Sequence, residues 1–348
     1  MKKLTAIFKR IFIFFFLLIA VLLIYSFSEK IIKYLIHGKA FHQVYLGDKE
    51  YKQENYQEAI EHYRKAVKLY PKHVKARYNL ANIYVSYEDF PNAVKEYRQA
   101  LKYDPSYLNA GINLGIVLSE DLLDFDGAIE EYQKIIKTKT RIINIPYFYD
   151  NSKHILKSKA IAYYNIGLAY RYKSMLFSED SAEYKKFLFK AAENYEKSLN
   201  LNPQNYDARY NLALTKHLLG LYSDALTNYC KALLIFPLNY EARYNLAILL
   251  RQKRMYQDSF NEFKQAGLLM DYTGDSIKAA FIYSMLNDVS QMAIAEYDYQ
   301  PKEALKNLNS DMTAFESLSR NKYLSIEELE KVLIKKVKTN SVCKDYLK

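Results

Sequence analysis

The feature that most constrains this sequence is a motif that returns along the chain at a fixed interval. Arg-Tyr-Asn-Leu-Ala occupies residues 77–81, 209–213 and 243–247, and the last two copies start 34 residues apart. Looser copies stand at 163–167 and 112–115. A repeat of this length predicts a row of similar supersecondary units, stacked because one unit alone cannot bury its apolar face.

Small and aromatic residues recur at fixed places within each unit. The residue at position 8 is always small: Gly47, Ala81, Gly115, Gly167, Ala213 and Ala247. Position 20 is also small: Ala59, Ala93, Ala128, Ala191, Ala225 and Ser259. Position 24 is aromatic: Tyr63, Tyr97, Tyr132, Tyr195, Tyr229 and Phe263. A proline stands at position 32 in four units: Pro71, Pro105, Pro203 and Pro237. Small residues let two helices approach closely, an aromatic ring fills the gap beside them, and proline stops a helix from continuing.

This pattern resembles the tetratricopeptide repeat. The resemblance implies an all-α fold, namely a right-handed superhelical solenoid of about six helix-turn-helix repeats. The predicted repeats span 40–73, 74–107, 108–141, 160–205, 206–239 and 240–273, with a connector at 142–159. Repeat 3 has one extra residue before Ala128, and repeat 4 carries an insertion between Tyr170 and Ala191. Arginine stands at position 4 of three repeats, where we expect the stem to pack and the guanidinium to stay in solvent. These residues are Arg77, Arg209 and Arg243.

An uncharged apolar run lies near the N-terminus, at residues 11–27. It has no polar face and is longer than the core of a signal peptide, so we predict a transmembrane helix within an anchor and juxtamembrane segment, 1–39. The alternative is a cleaved signal peptide, because Ser26 and Ser28 form a weak cleavage site. Basic residues before the run favour a cytoplasmic N-terminus and a solenoid on the other side of the membrane.

Charge and motifs exclude several classes of function. The formal net charge is +11, but the excess of lysine and arginine is concentrated beside the apolar run and forms no stripe along the repeats, so we predict no nucleic-acid partner. Phosphate-binding loops, zinc-binding spacings and the serine-hydrolase motif do not occur, which predicts no enzyme activity, cofactor, metal or small-molecule substrate. Cys230 and Cys343 are far apart, and Cys230 lies in a helical apolar pattern typical of a free, buried thiol.

The C-terminal part, 274–348, is predicted to be a helical cap and tail. Residues 277–297 form one predicted helix that covers the last repeat. The second spans 325–338, where Ser325 and Glu328 make a capping box and Leu333 and Val337 belong to the apolar stripe. This second helix is predicted to cap the solenoid or, alternatively, to bind a partner.

One helix face is the candidate binding site. In tetratricopeptide-repeat proteins the face that carries positions 2, 5, 6, 9 and 13 lines the concave groove, and amide side chains there can pair with the backbone of an extended peptide. The candidate contacts are Asn79, Asn113, Asn165, Asn211, Asn245, Tyr78, Tyr164, Tyr210, Tyr244 and Lys75, of which Lys75 and Asn79 could also contact an anionic group. The competing interpretation is that the asparagines only satisfy groups within the fold.

The sequence therefore predicts a non-enzymatic, membrane-anchored scaffold that binds a protein or an extended peptide, in the assembly or organisation of cell-envelope proteins. The alternative is a structural subunit that self-associates, or joins a membrane complex, through its convex face or its C-terminal helix.

Overall fold

The computed structural model describes residues 28–139, 152–273 and 276–297, and in the C-terminal part residues 331, 333–335, 337–338 and 341–346. The predicted membrane span at 11–27 lies outside these residues. No strand occurs among the described residues, and none of their helices is long and apolar enough to cross a membrane.

The helices fall into two compact units, divided after Thr138. The helices of the first unit are α1 at 28–52, α2 Tyr56–Leu69, α3 Val74–Ser86, α4 Phe90–Tyr103, α5 Leu108–Ile116 and α6 Phe125–Lys137. Those of the second unit are α7 Ser152–Ser174, α8 Ala182–Leu201, α9 Tyr206–Leu218, α10 Tyr222–Ile235, α11 Tyr240–Gln252, α12 Tyr256–Thr273, α13 Ser276–Tyr297 and α14 Ser341–Tyr346. Within each unit, consecutive helices pack in pairs as an all-helical solenoid.

The contact between positions 8 and 24 holds each helix pair together. A Cβ atom added to Gly167 would lie 2.5 Å from Cε1 of Tyr195, and one added to Gly47 would lie 2.7 Å from Cε1 of Tyr63. Both tyrosines are fully buried. The aromatic ring therefore fills the space above the small residue, as the sequence predicts.

The arginines at position 4 do not behave as predicted. Arg243 is fully buried, and its Nη1 donates to Oε2 of Glu262 at 2.9 Å while its Nε and Nη2 donate to the carbonyl of Pro237 at 3.3 Å. Arg77 is also buried and pairs in the same way with Pro71 and Glu96. The prediction of solvated heads was wrong for Arg77 and Arg243 because position 23 supplies a carboxylate that a sequence pattern of apolar positions does not reveal. The third arginine, Arg209, is half-buried and bonds to Oδ1 of Asn228 at that position.

Two irregularities lie in the middle of the chain. The extra residue of repeat 3 is absorbed by a π-helical turn, Val117–Asp121, which widens the end of α5 and keeps Ala128 in register. Helix α7 includes Ser152 and the residues after it that were predicted as connector, and no proline or glycine interrupts this helix before Gly167.

A disulfide joins Cys230 on α10 to Cys343 on α14 across 113 residues. Val337, Val342 and Cys343 are buried together with Leu233, Leu249 and other residues of α10 and α11. The prediction that Cys230 is a free thiol was therefore wrong. The bond attaches α14 covalently to α10.

Candidate functional site

The candidate asparagines form a regular network rather than a row of free amides. In three repeats the Nδ2 atom of Asn at position 6 donates to the hydroxyl of Tyr at position 5 of the repeat before it. The pairs are Asn113 with Tyr78 at 3.3 Å, Asn211 with Tyr164 at 3.4 Å and Asn245 with Tyr210 at 2.8 Å. These bonds tie neighbouring repeats together, which supports a structural role for these asparagines.

The same amides also form hydrogen bonds with nearby carbonyl groups of the protein. Asn211 and Asn245 donate to the carbonyls of Asp207 and Glu241, one turn back on their helices, and Asn211 is buried. Asn113 donates as well to Oδ1 of Asn82 at 3.0 Å. Their donor capacity is thus largely used inside the protein.

The position-5 tyrosines pack against the position-24 aromatic rings of their own repeats. The ring centroids lie 6.1 Å apart for Tyr78 and Tyr97, 5.9 Å for Tyr164 and Tyr195, 6.2 Å for Tyr210 and Tyr229, and 5.5 Å for Tyr244 and Phe263. Burial raises the pKa of Tyr210 to about 12 and raises the pKa of Tyr97 and Tyr195 as well. These phenols therefore remain neutral hydrogen-bonding groups at physiological pH.

Asp48 bonds to Lys75 and Asn79, the two side chains that the sequence suggested for an anionic ligand. Its Oδ2 lies 2.5 Å from Nζ of Lys75, and its Oδ1 accepts from Nδ2 of Asn79 and from the hydroxyl of Tyr63, both at 2.8 Å. Asp48 stands at position 9 of its repeat, as Asn82 does in the next, where it accepts from Tyr97 at 2.5 Å. The polar residue at position 9 was the signal in the sequence that could have predicted these bonds.

The second unit leaves two of the candidate groups open. The amide of half-buried Asn165 forms no hydrogen bond with any residue that the structure describes, and neither does the hydroxyl of Tyr244. Position 5 of repeat 3 is Ile112, whereas the repeats before Asn113, Asn211 and Asn245 carry tyrosine at that position. Tyr244 belongs to the last repeat, so no later repeat supplies an asparagine. The network thus ends at Asn165 and Tyr244.

Comparison with known families matches the regular parts of this architecture. Models of the tetratricopeptide repeat match residues 47–86, 74–107 and 194–227. Residues 47–107 and 194–227 thus match the tetratricopeptide repeat. The matched residues include Asp48, Tyr78 and Asn211, so the hydrogen-bond network lies partly within recognised repeats.

Several solved structures are similar to this chain. MamA is 23% identical, with 56% of this chain and 90% of that chain covered and a TM-score of 0.43. YrrB, described as a TPR protein with an unusual peptide-binding site, is 17% identical, with 64% and 97% covered and a TM-score of 0.43. PilF of Pseudomonas aeruginosa is 16% identical, with 79% and 99% covered and a TM-score of 0.45. Comparison with curated proteins gives no match.

The described residues hold no cluster of metal ligands. No group of three or more histidine, cysteine, aspartate or glutamate side chains among them could hold a metal ion. His217, which lies on the same face, bonds through Nε2 to Oε1 of Gln252 at 2.8 Å, and burial lowers its pKa. The face therefore presents polar amides and aromatic rings beside the charged pair of Lys75 and Asp48.

Proposed function

We propose that this chain is a non-enzymatic, membrane-anchored scaffold that binds an extended peptide of a protein partner along the Tyr-Asn face of its second unit. The Tyr-Asn face is defined by Tyr164, Asn165, Tyr210, Asn211, Tyr244 and Asn245. The observation that carries the proposal is the open amide of Asn165, because a half-buried amide with an unused donor and acceptor gains most from a ligand.

The network divides the candidate contacts into two roles. Asn165 and Tyr244 contact the ligand, whereas Asn211 and Asn245 hold the repeats in register. An amide pairs with the backbone of any sequence, so the peptide is held in extended form with little selection by its side chains. The aromatic rings beside the amides provide apolar contact.

The proposed location is the outer side of the cell membrane, where the scaffold organises envelope proteins. The apolar run at 11–27 supports the anchor, and the disulfide supports an oxidising compartment, since disulfides persist outside the cytosol. Deleting residues 1–27 should release the folded protein from membranes. Retention in the membrane fraction would show that the anchor lies elsewhere.

A display selection tests peptide binding. Random extended peptides are selected on the immobilised protein and counter-selected on the variant Asn165→Ala/Tyr244→Phe. We expect sequences that bind the native chain and bind the variant more weakly. Failure to select any such peptide, together with concentration-dependent self-association of the native chain, would favour a self-associating structural subunit instead.

A further inference from the structure

A pocket in the first unit marks a place where repeat 3 departs from the other repeats. In repeats 2, 5 and 6 the position-4 arginine donates to the carbonyl of the preceding proline and to the side chain at position 23. Repeat 3 has Gly111 at position 4. A pocket of 390 Å³ lies between α4, α5 and α6, and Gly111 lines it where Arg209 lines the equivalent pocket of 410 Å³ at repeat 5.

The floor of this pocket is apolar. Leu101, Leu108 and Ile135 line it together with Gly111. Ile135 stands where four other repeats have a buried alanine, and a Cβ atom on Gly111 would lie 3.3 Å from its side chain. The alanines are Ala66, Ala100, Ala232 and Ala266. Repeat 3 thus has Gly111 and Ile135 where repeats 2, 5 and 6 have arginine and alanine. The floor of the pocket is therefore apolar and suits an aliphatic group rather than a cation.

The rim of the pocket is positively charged. Arg98, Lys102 and Lys134 line it, with Glu131 as the one carboxylate. Lys134 pairs with Glu131 at 2.9 Å, whereas Arg98 and Lys102 have no ion-pair partner among the described residues. An anionic group beside them would gain charge-assisted hydrogen bonds, two of them from a single guanidinium.

From these features we infer that the pocket binds an anionic amphiphile, an aliphatic chain that ends in a carboxylate. The chain lies on Leu101, Leu108 and Ile135, and the head group contacts Arg98 and Lys102. The lining offers no amide side chain, so the backbone of a peptide would be buried there without enough partners. Its volume is at the small end of ligand pockets, about 300 to 1,000 Å³, which fits a single chain. The site shares no residue with the Tyr-Asn face and does not depend on it.

Titration calorimetry with decanoate, below its micelle concentration, tests this inference. We expect saturable binding to the full-length protein, and binding at least about tenfold weaker for decanol, which lacks the charge, and for acetate, which lacks the chain. Arg98→Gln/Lys102→Gln should weaken decanoate binding about tenfold. Lys95→Gln is the matched control, because it removes a charge from an exposed position of α4 that does not line the pocket.

A second variant removes part of the apolar floor. Ile135→Ala places the alanine of repeats 2, 5 and 6 at this position, so it should weaken decanoate binding and leave the helices folded. The inference is overturned if decanoate does not bind, if decanol binds as tightly, or if Lys95→Gln weakens binding as much as the rim variant does.

Discussion

Single residues set how closely the helices pack. Gly167 has no side chain because the ring of Tyr195 already occupies that space, and Gly220 adopts φ +74° at the turn between α9 and α10. The equivalent turns of other repeats place Glu54, Glu88, Leu123 and Arg254 at φ 63°, 58°, 54° and 60°. Each of these non-glycine residues is strained, since a Cβ atom disfavours the left-handed region.

Two glycine substitutions test the packing. Gly167→Ala should lower the free energy of unfolding by about 1 to 3 kcal/mol, because the new methyl group overpacks against buried Tyr195. Gly38→Ala is the control: apart from the backbone of its own helix, no atom of the described residues lies within 4 Å of its Cβ position, and alanine stabilises a helix by about 0.5 to 1 kcal/mol. Urea unfolding measures both. Equal effects in the two variants would show that the contact is not tight.

The turn residues make a second prediction at this scale. Leu123→Gly should raise the free energy of unfolding by up to about 1 kcal/mol, because glycine adopts positive φ without strain and Leu123 is exposed. The reverse change, Gly220→Leu, should lower it. Thermal unfolding of the two variants measures the difference, and destabilisation by Leu123→Gly would contradict the assignment of strain to this turn.

At the scale of elements, α14 depends on one covalent bond and a small apolar contact. Six residues are too few for a stable isolated helix, so the disulfide and the burial of Val342 keep it on α10. Reduction is expected to destabilise the second unit by about 2 to 4 kcal/mol, given the long loop that the bond closes.

Unfolding with and without reductant measures this effect. The double variant Cys230→Ser/Cys343→Ser should unfold like the reduced protein and should not respond to reductant. If the native chain unfolds identically in both conditions, the bond contributes nothing to stability.

Local patterns in the sequence predicted the helices and their pairing better than the contacts between residues far apart in the chain. The contact of positions 8 and 24 follows from residue size, and it was confirmed. The disulfide was missed because two cysteines 113 residues apart carry no spacing signal. The burial of Arg243 was missed because its carboxylate partner, Glu262, looks like any exposed helix residue in the sequence. The sequence repeats Tyr at position 5 and Asn at position 6 of the next unit at a regular spacing, but only the structure shows that these two side chains form a hydrogen bond.

On the scale of the whole molecule, buried tyrosines couple stability to alkaline pH. Burial raises the pKa of Tyr210 to about 12 and also raises the pKa of Tyr206 and Tyr229. An unfolded phenol titrates near pH 10, so the folded state binds these protons more tightly. Their contribution to stability is complete below pH 10 and is lost as the pH rises through the folded pKa values.

The free energy of unfolding should therefore fall steeply from about pH 10 to 12. Tyr210→Phe should make that fall shallower. Urea unfolding at a series of pH values, with tyrosinate absorbance followed in parallel, measures it. A stability that is flat across this range would mean that the phenols are not shielded from solvent.

The measurement that tests the two roles of the asparagines most directly compares two members of the Tyr-Asn face by two readouts. Asn165→Ala and Asn245→Ala make the same chemical change in a helix, so their effects on helix propensity cancel. We expect Asn165→Ala to weaken binding of a selected peptide about two- to tenfold. This variant should not lower the free energy of unfolding. Relative to it, Asn245→Ala should lose about 0.5 to 1.5 kcal/mol of stability and keep the peptide affinity. The division into a ligand contact and a structural bond is contradicted if Asn165→Ala binds the peptide normally, or if both variants lose stability alike.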